Sequence, residues 1–250
     1  MRLQVNLRSF FMLVVVGCIT PAIVLHAPML HAGTIDIDDF SAPATEENFT
    51  SIDLGALPSF VGTQPTISPV AGEASILGGS RNATVQVQTP VDWKSAMGTI
   101  GNGAFSVFTG GSSGSVVTID YPGLTDVDLT DGGTNQSIAL DFNFVEPGDL
   151  NLQIVITDGA NTATFDSSTT ANIPGSGTPF TYLATFADFD MAAPLSSADS
   201  ISVVLNGPAV ANMDFELSSI SAVTAVPEPS TMAMLLTLVL ASLSLIVRRR

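Results

Sequence analysis

Short β-branched and aromatic runs, separated by clusters of Gly, Asn, Asp and Pro, fill the chain between residues 33 and 220. Runs such as 85–88 and 139–144 alternate apolar and polar residues, which is typical of strands with one buried face. No segment of this region carries the apolar stripe of an amphipathic helix. The pattern predicts an all-β ectodomain over residues 33–220, folded as an antiparallel, jelly-roll-like β-sandwich.

Turn-forming sequences separate the predicted strands. Asp131-Gly132-Gly133 and Asp158-Gly159 supply residues that tolerate positive φ. Residues 41–73, rich in Pro, Thr and Ser, are predicted to form a long loop, and residues 221–230 a stalk. Besides the two alternating runs, strands are predicted at 34–40, 105–108, 116–121, 150–157, 181–186, 201–205 and 213–217.

The start of the chain, residues 1–32, has the order of a secretory signal peptide. Two arginines precede the apolar residues 10–19, and Ala32 offers the small side chain required before the cut. Cleavage between Ala32 and Gly33 is therefore predicted. A retained membrane anchor is the alternative, but the apolar run is interrupted and short for a span.

Cys18 gives the same segment a second interpretation. Val15-Val16-Gly17-Cys18 fits the bacterial lipobox, in which the cysteine is acylated and becomes the mature N-terminus. The apolar residues 19–25 argue against this, because a lipoprotein usually continues with a polar tether. A mature N-terminus at Gly33 supports the simple signal peptide, and a diacylated Cys18 the lipoprotein.

The end of the chain is predicted to cross a membrane. The 17 residues 231–247 are uncharged and span about 25 Å as a helix, near the lower limit for a hydrocarbon core. The terminal Arg248-Arg249-Arg250 is expected to act as a cytoplasmic stop, which leaves the ectodomain outside. This topology agrees with an N-terminal signal peptide.

Pro227-Glu228-Pro229 stands immediately before this segment. The order of motif, apolar run and terminal arginines resembles the PEP-CTERM sorting signal of exported bacterial proteins. The resemblance implies that a membrane-embedded exosortase recognises the motif and processes the tail, in bacteria that make exopolysaccharide. The implied partners are exosortase, the secretion machinery, the inner membrane and exopolysaccharide, and the implied destination is the cell surface or extracellular matrix. A plain tail anchor with a proline-containing stalk is the alternative.

Charge and composition exclude several classes of function. Residues 33–226 hold 22 of the 23 acidic residues and only two basic ones, Arg81 and Lys94, for a net charge of −20. Such a surface repels phosphate, which argues against nucleic-acid binding. The region has neither Cys nor His, so thiol and Ser-His-Asp catalysis are unavailable. Glycoside hydrolysis usually uses several sugar-stacking rings, and the chain has one Trp and two Tyr. We predict a protein without enzyme activity.

Trp93 and Tyr121 are the candidates for stacking against a sugar. The alternative is that these rings fill the core or a strand edge. The main prediction is accordingly a non-catalytic surface or matrix protein, and the second is a carbohydrate-binding module acting on exopolysaccharide.

Asp126, Asp128 and Asp131 bring three carboxylates together in one turn. Calcium binds six to eight oxygen atoms, and acidic loops supply them. The spacing is not that of an EF-hand, and a solvated acidic turn is the alternative to a structural calcium. No other cofactor is expected. Asp36 and Asp38, two positions apart in a predicted strand, are expected to lie together on its wet face.

A second resemblance covers the ectodomain. Asp38-Asp39-Phe40, then Ile76-Leu77-Gly78-Gly79-Ser80-Arg81, then Ile119-Asp120-Tyr121 followed by residues 124–133, recur in this order in many exported bacterial ectodomains. The last two strands look like those of a galactose-binding-like jelly roll. This resemblance implies a fold rather than an activity.

Overall fold

The structure, a computed structural model, describes residues 33–42, 48–53, 73–87, 94–109, 115–146, 150–205 and 214–224. They form two antiparallel sheets packed as a sandwich, which confirms the predicted all-β class. None of the described helices, all short 3-10 turns, is long and apolar enough to cross a membrane. The predicted signal peptide up to Ala32, Pro227-Glu228-Pro229, the segment 231–247 and Arg248-Arg249-Arg250 lie outside the described residues.

The strands have the following bounds: β1 Ile35–Asp38, β2 Asn48–Asp53, β3 Asn82–Val87, β4 Lys94–Gly101, β5 Ala104–Thr109, β6 Ser115–Val127, β7 Ser137–Glu146, β8 Leu152–Asp158, β9 Asn161–Asp166, β10 Phe180–Thr185, β11 Ala198–Leu205 and β12 Asp214–Val223.

The first sheet has seven strands in the order β10-β7-β12-β5-β4-β2, and β1 pairs with β12 next to β5. The second sheet has five strands in the order β3-β6-β11-β8-β9. β7 and β12 are paired although they are far apart in sequence, and so are β6 and β11 in the second sheet, so both sheets depend on long-range strand pairs.

A continuous hydrophobic core lies between the sheets. Phe105, Phe142 and Phe215 come from three adjacent strands of the first sheet. Phe215 meets the other two edge to face, with ring centroids 6.0 Å and 6.1 Å apart. The second sheet contributes several β-branched side chains, such as Ile119 and Ile154, both fully buried. This packing of alternate residues explains the period-two pattern of the sequence.

Nine predicted strands are present, and three strands were not predicted. β2 lies inside the predicted loop 41–73, which is therefore wrong at residues 48–53. β4 also went unrecognised, since its buried residues Ala96 and Gly98 are small. β9 went unrecognised as well, because Phe165 is its single large apolar residue. β12 continues to Val223, beyond the predicted boundary at residue 220. The turn prediction at Asp131 is confirmed by its φ of +46°, followed by two glycines at positive φ.

Candidate functional site

Tyr121 is a core residue. Its side chain is 0% exposed, and its hydroxyl donates a hydrogen bond of 3.0 Å to Oδ2 of Asp38. A ring without an exposed face cannot stack on a sugar, so that prediction is wrong for Tyr121. Burial raises its pKa well above 10.0, and the Asp38 carboxylate adds to the increase. Trp93, the other stacking candidate, lies outside the described residues.

Asp38 is buried at 1% exposure, although strand alternation places it on the wet face with Asp36. Asp36 pairs with Ser221 and Asp38 with Ile220, so β1 has one residue more than β12 at this point. Such a β-bulge lets the adjacent Ile37 and Asp38 both turn inward, while Asp36 stays exposed. The expectation of a shared wet face is therefore wrong for Asp38.

Arg81 provides the counter-charge for Asp38. Its Nη1 donates to Oδ1 at 2.9 Å and to Oδ2 at 2.7 Å, and both side chains are buried. The N–H of Phe40 donates to Oδ1 at 2.8 Å, and Cζ of Arg81 lies 5.4 Å from the centre of the Phe40 ring. Burial raises the pKa of Asp38, while Arg81, Phe40 and Tyr121 act to lower it. These four residues are called the Asp38 cluster below.

The Asp38 cluster joins the two sheets. Asp38 belongs to β1 of the first sheet, while Tyr121 belongs to β6 and Arg81 directly precedes β3 in the second. Each of the three motifs that resemble other exported ectodomains contributes a member. Because all four members are buried, the cluster stabilises the packing of one sheet on the other.

The acidic turn after β6 binds its own backbone. Oδ1 of Asp128 accepts hydrogen bonds from the N–H and hydroxyl of Thr130, at 2.9 Å and 2.5 Å, and Oδ2 accepts one from Gly132 N–H at 2.9 Å. These bonds lower the pKa of Asp128. Asp126 and Asp131 are exposed. No group of three or more His, Cys, Asp or Glu within the described ranges is arranged to hold a metal. A calcium ion at Asp126, Asp128 and Asp131 stays a prediction.

Exposed apolar side chains gather on the face of the seven-stranded sheet that points away from the core, called the outer face. Phe108 on β5 is 42% exposed and Met97 on β4 is 39% exposed. The two residues are paired across the strands, so their side chains lie side by side. Leu183 on β10 is exposed at the other end of the sheet. An exposed aromatic ring beside a methionine is a flat apolar surface against which a pyranose can pack.

Glu216 lies near the middle of the outer face. Its Oε2 accepts a hydrogen bond from the Ser106 hydroxyl at 2.9 Å, and its Oε1 accepts one from Nδ2 of Asn143 at 2.6 Å. Ser106 stands two residues before Phe108, and both therefore point to the same face. The two donors fix the carboxylate between β5, β12 and β7. Because an ionised carboxylate has about four acceptor positions, some remain for a ligand.

Asp141 is a second oriented acceptor on this face. Its Oδ1 accepts from the Thr181 hydroxyl at 2.5 Å and its Oδ2 from the Ser219 hydroxyl at 2.7 Å. A pocket of about 330 Å³ lies here, lined in part by Asp141, Asn143, Thr181 and Ser218. The polar middle of the outer face thus lies between two apolar ends.

The charge of the outer face is negative. Asp141, Asp214 and Glu216 are only half-buried there. Of the two basic residues of the ectodomain, Arg81 is buried in the Asp38 cluster and Lys94 is the first residue of β4. Anchored acceptors suit a ligand rich in hydroxyl donors, whereas an anionic polymer would meet like charge.

The residues of the outer face were not identified from the sequence. One signal was present in β5, where Phe105 and Val107 alternate with Ser106 and Phe108. Because Phe105 and Phe108 lie on opposite faces of the strand, one of the two rings must be on the outer face, whichever face packs against the core. The grouping of Asn143 with Glu216 had no local signal, because it depends on the pairing of β7 with β12.

The comparisons with known proteins concern structure alone, since no protein-family model and no curated protein sequence matches the chain. A family 11 carbohydrate-binding module of a Clostridium thermocellum cellulosomal cellulase is 13% identical and covers 79% of this chain and 98% of its own, with a TM-score of 0.38. A family 30 carbohydrate-binding module is 10% identical over 76% of this chain and 99% of its own, with a TM-score of 0.37. PfGH50B is 13% identical over 57% of this chain and 22% of its own, with a TM-score of 0.40.

Proposed function

We propose that this chain is an exported, non-catalytic protein whose ectodomain binds carbohydrate, and that exopolysaccharide is its ligand. The support comes from the outer face itself.

The observation that carries the proposal is the position of Phe108 beside oriented acceptors on an open sheet face. The ring and Met97 provide an apolar surface, and Glu216 lies on the neighbouring strand, held by Ser106 and Asn143. A pyranose has an apolar ring face and a rim of hydroxyl groups, so it needs both kinds of contact together. Acceptors fixed before binding lose little side-chain freedom on contact, which favours affinity.

The composition of the face also defines which sugars fit. Hydroxyl donors can bind Glu216 and Asp141, whereas uronate or sulfate groups add negative charge to a strongly acidic domain. We therefore expect a neutral or amine-bearing polysaccharide rather than an acidic one.

Isothermal titration calorimetry of the processed, exported protein tests the proposal with three soluble polysaccharides, namely a neutral β-glucan, chitosan, which carries amines, and alginate, which carries uronates. Saturable binding is expected for at least one of the first two probes and not for alginate. Phe108→Ala should raise the Kd about tenfold or more, since truncating a central aromatic contact often costs 1–2 kcal/mol or more. Glu216→Gln should also weaken binding, because it removes a charged acceptor.

Met191→Ala is the matched control. Met191 is 44% exposed, close to the value for Phe108, and lies in the connection between β10 and β11. The N–H of the preceding Asp190 donates to the carbonyl oxygen of Thr164 on β9, in the second sheet. Substitution of Met191 should leave the Kd unchanged. Absence of saturable binding to all three polysaccharides, or equal Kd values for the Phe108→Ala and Met191→Ala variants, would contradict the proposal.

The route of export is the second part of the proposal. We propose that an exosortase sorts the chain through Pro227-Glu228-Pro229, after the precursor has been anchored in the inner membrane with Arg248-Arg249-Arg250 inside. Its support is the order of motif, apolar run and arginines in the sequence. A glycan-binding domain delivered in this way would reach the polymer layer outside the cell.

A further inference from the structure

Gly33 is enclosed by polar side chains of the turn that follows β6. Its φ is +90°, and a Cβ built on it would lie 3.1 Å from Oδ2 of Asp131, 3.1 Å from Cγ2 of Thr134 and 3.3 Å from Oδ1 of Asn135. Both the positive φ and the close approach favour glycine at this position. Two oxygen atoms therefore lie next to the position that a Cβ would occupy, at the residue that the predicted signal cleavage would make the first of the mature chain.

One of these oxygens is buried without a donor. Asn135 is 2% exposed, and its Nδ2 donates to the carbonyl oxygen of Leu129 at 3.2 Å, which fixes the orientation of the amide. Its Oδ1 has no hydrogen-bond partner among the residues that the structure describes. A buried acceptor without a donor is unfavourable and uncommon in folded proteins. The neighbouring Asp131 adds a carboxylate to the same small space.

We infer that the turn 128–135 is a binding site for the mature N-terminus, and that the α-ammonium group of Gly33 donates to Oδ1 of Asn135 and to the Asp131 carboxylate. Hydrolysis of the Ala32–Gly33 peptide bond by signal peptidase consumes one water, leaves a carboxylate on Ala32 and a protonated amine on Gly33. The inference rests on that predicted cleavage.

The geometry supports capture of an ammonium group at this site. The nitrogen of Gly33 and the Cβ position are bonded to the same Cα and lie about 2.5 Å apart, so the nitrogen is within about 6 Å of both oxygens. A chain end freed by cleavage can turn into hydrogen-bond distance of them. Before cleavage it is an uncharged peptide nitrogen with a single N–H. After cleavage it carries three donors and a positive charge, which suits one buried and one charged acceptor. Removal of the signal peptide then adds a contact that the precursor lacks, immediately before β1.

The first test is the N-terminus of the full chain exported from a Gram-negative host. N-terminal sequencing should give Gly33 as the first residue. A start at any other residue, including an acylated Cys18, would overturn the inference.

The second test is a double-mutant cycle measured by thermal unfolding in EDTA, so that a calcium ion at Asp131 does not contribute. A threonine inserted between Ala32 and Gly33 extends the mature chain by one residue, which mass spectrometry verifies, and moves the ammonium about 3.8 Å along the chain. We expect the insertion to lower the Tm by about 2–4 °C. In an Asp131→Asn background the same insertion should lower the Tm by less than half as much.

Asp126→Asn is the control for the cycle. Asp126 and Asp131 are both exposed acids at positive φ, 48° and 46°, and asparagine tolerates this conformation equally well. The insertion should keep its full effect in the Asp126→Asn background. An insertion that has no effect, or the same effect in both backgrounds, would show that Gly33 is merely packed against the turn and would overturn the inference. Glycan binding is not involved in either test, so the proposed function is judged separately.

Discussion

Substitution of Arg81 by methionine should be the most damaging single change in the ectodomain. Asp38 and Arg81 are 1% and 2% exposed, and methionine keeps much of the side-chain volume while removing the charge. Asp38 would then be buried with the Tyr121 hydroxyl and the Phe40 N–H as its remaining donors among the described residues. Loss of one partner from a buried ion pair costs about 3–5 kcal/mol. For a domain of this size, that loss lowers the Tm by about 6–20 °C.

The effect should depend on pH with a defined sign. Burial already raises the pKa of Asp38 above its ordinary 3.8, and Arg81 is the first cause acting against that rise. Removing Arg81 therefore raises the pKa further. A carboxyl group whose pKa is higher in the folded state is stabilising below its unfolded pKa and loses that contribution as the pH rises through the folded value. The difference between the Arg81→Met variant and wild type should narrow as the pH falls from 7 towards 4.

Thermal and urea unfolding of three further variants complete the test. Lys94→Met also removes one positive charge, at the other basic residue of the ectodomain, and should change the Tm little. The Asp38→Asn and Arg81→Met double variant should recover part of the loss, because no buried charge remains. Tyr121→Phe should cost about 1–3 kcal/mol, as expected for a hydrogen bond to a charged group, and gives a milder measurement if Arg81→Met does not fold. An Arg81→Met variant that melts within about 2 °C of Lys94→Met would refute the reasoning.

Three further predictions concern other parts of the chain. Gly78→Ala should destabilise the domain by about 1–3 kcal/mol in urea unfolding. The reason is that Gly78 has φ +74° and an added Cβ would lie 2.7 Å from Cδ2 of Leu124. An unchanged urea concentration at the unfolding midpoint would contradict this prediction. Replacing Pro227-Glu228-Pro229 by alanines should leave export intact but block C-terminal processing, which mass spectrometry of the exported protein measures, and identical processing would overturn the sorting assignment. If the turn 126–131 binds a structural calcium, added calcium should raise the Tm and EDTA should reverse the rise; an unchanged Tm would remove calcium from consideration.

β7 shows how large inward side chains make a strand predictable from the sequence. β7 has Leu140 and Phe142 on its inner side, and the alternation is plain. β4 buries Ala96 and Gly98 before Ile100, so its apolar signal is weak. Such a strand is held mainly by its neighbours, β5 and β2, and pairing between distant segments leaves no local pattern.

The Asp38 cluster shows a different reason for failure. The alternation of residues along β1 predicted that Asp38 lies on the solvent-exposed face, and the bulge in β1 turns its side chain inward instead. A bulge depends on the partner strand β12, almost the whole ectodomain away in sequence. The only hint was the presence of Arg81 in a region almost without cations, since a lone arginine in an acidic domain favours a specific partner.

The separation between the Asp38 cluster and the outer face indicates where function is encoded in this fold. The cluster is fully buried and joins the sheets, so it contributes to the stability of the sandwich without contributing to its outer face. Phe108 and Glu216 contribute little to the core, so folding places few constraints on the side chains at these two positions, and they can be adapted to a ligand. The two kinds of substitution should therefore separate in experiment. Phe108→Ala should weaken glycan binding with a Tm close to wild type, whereas Tyr121→Phe should lower the Tm and leave the Kd of the folded protein unchanged. If both variants changed the same quantity, the division between a buried cluster that specifies the fold and a face that binds the ligand would be wrong.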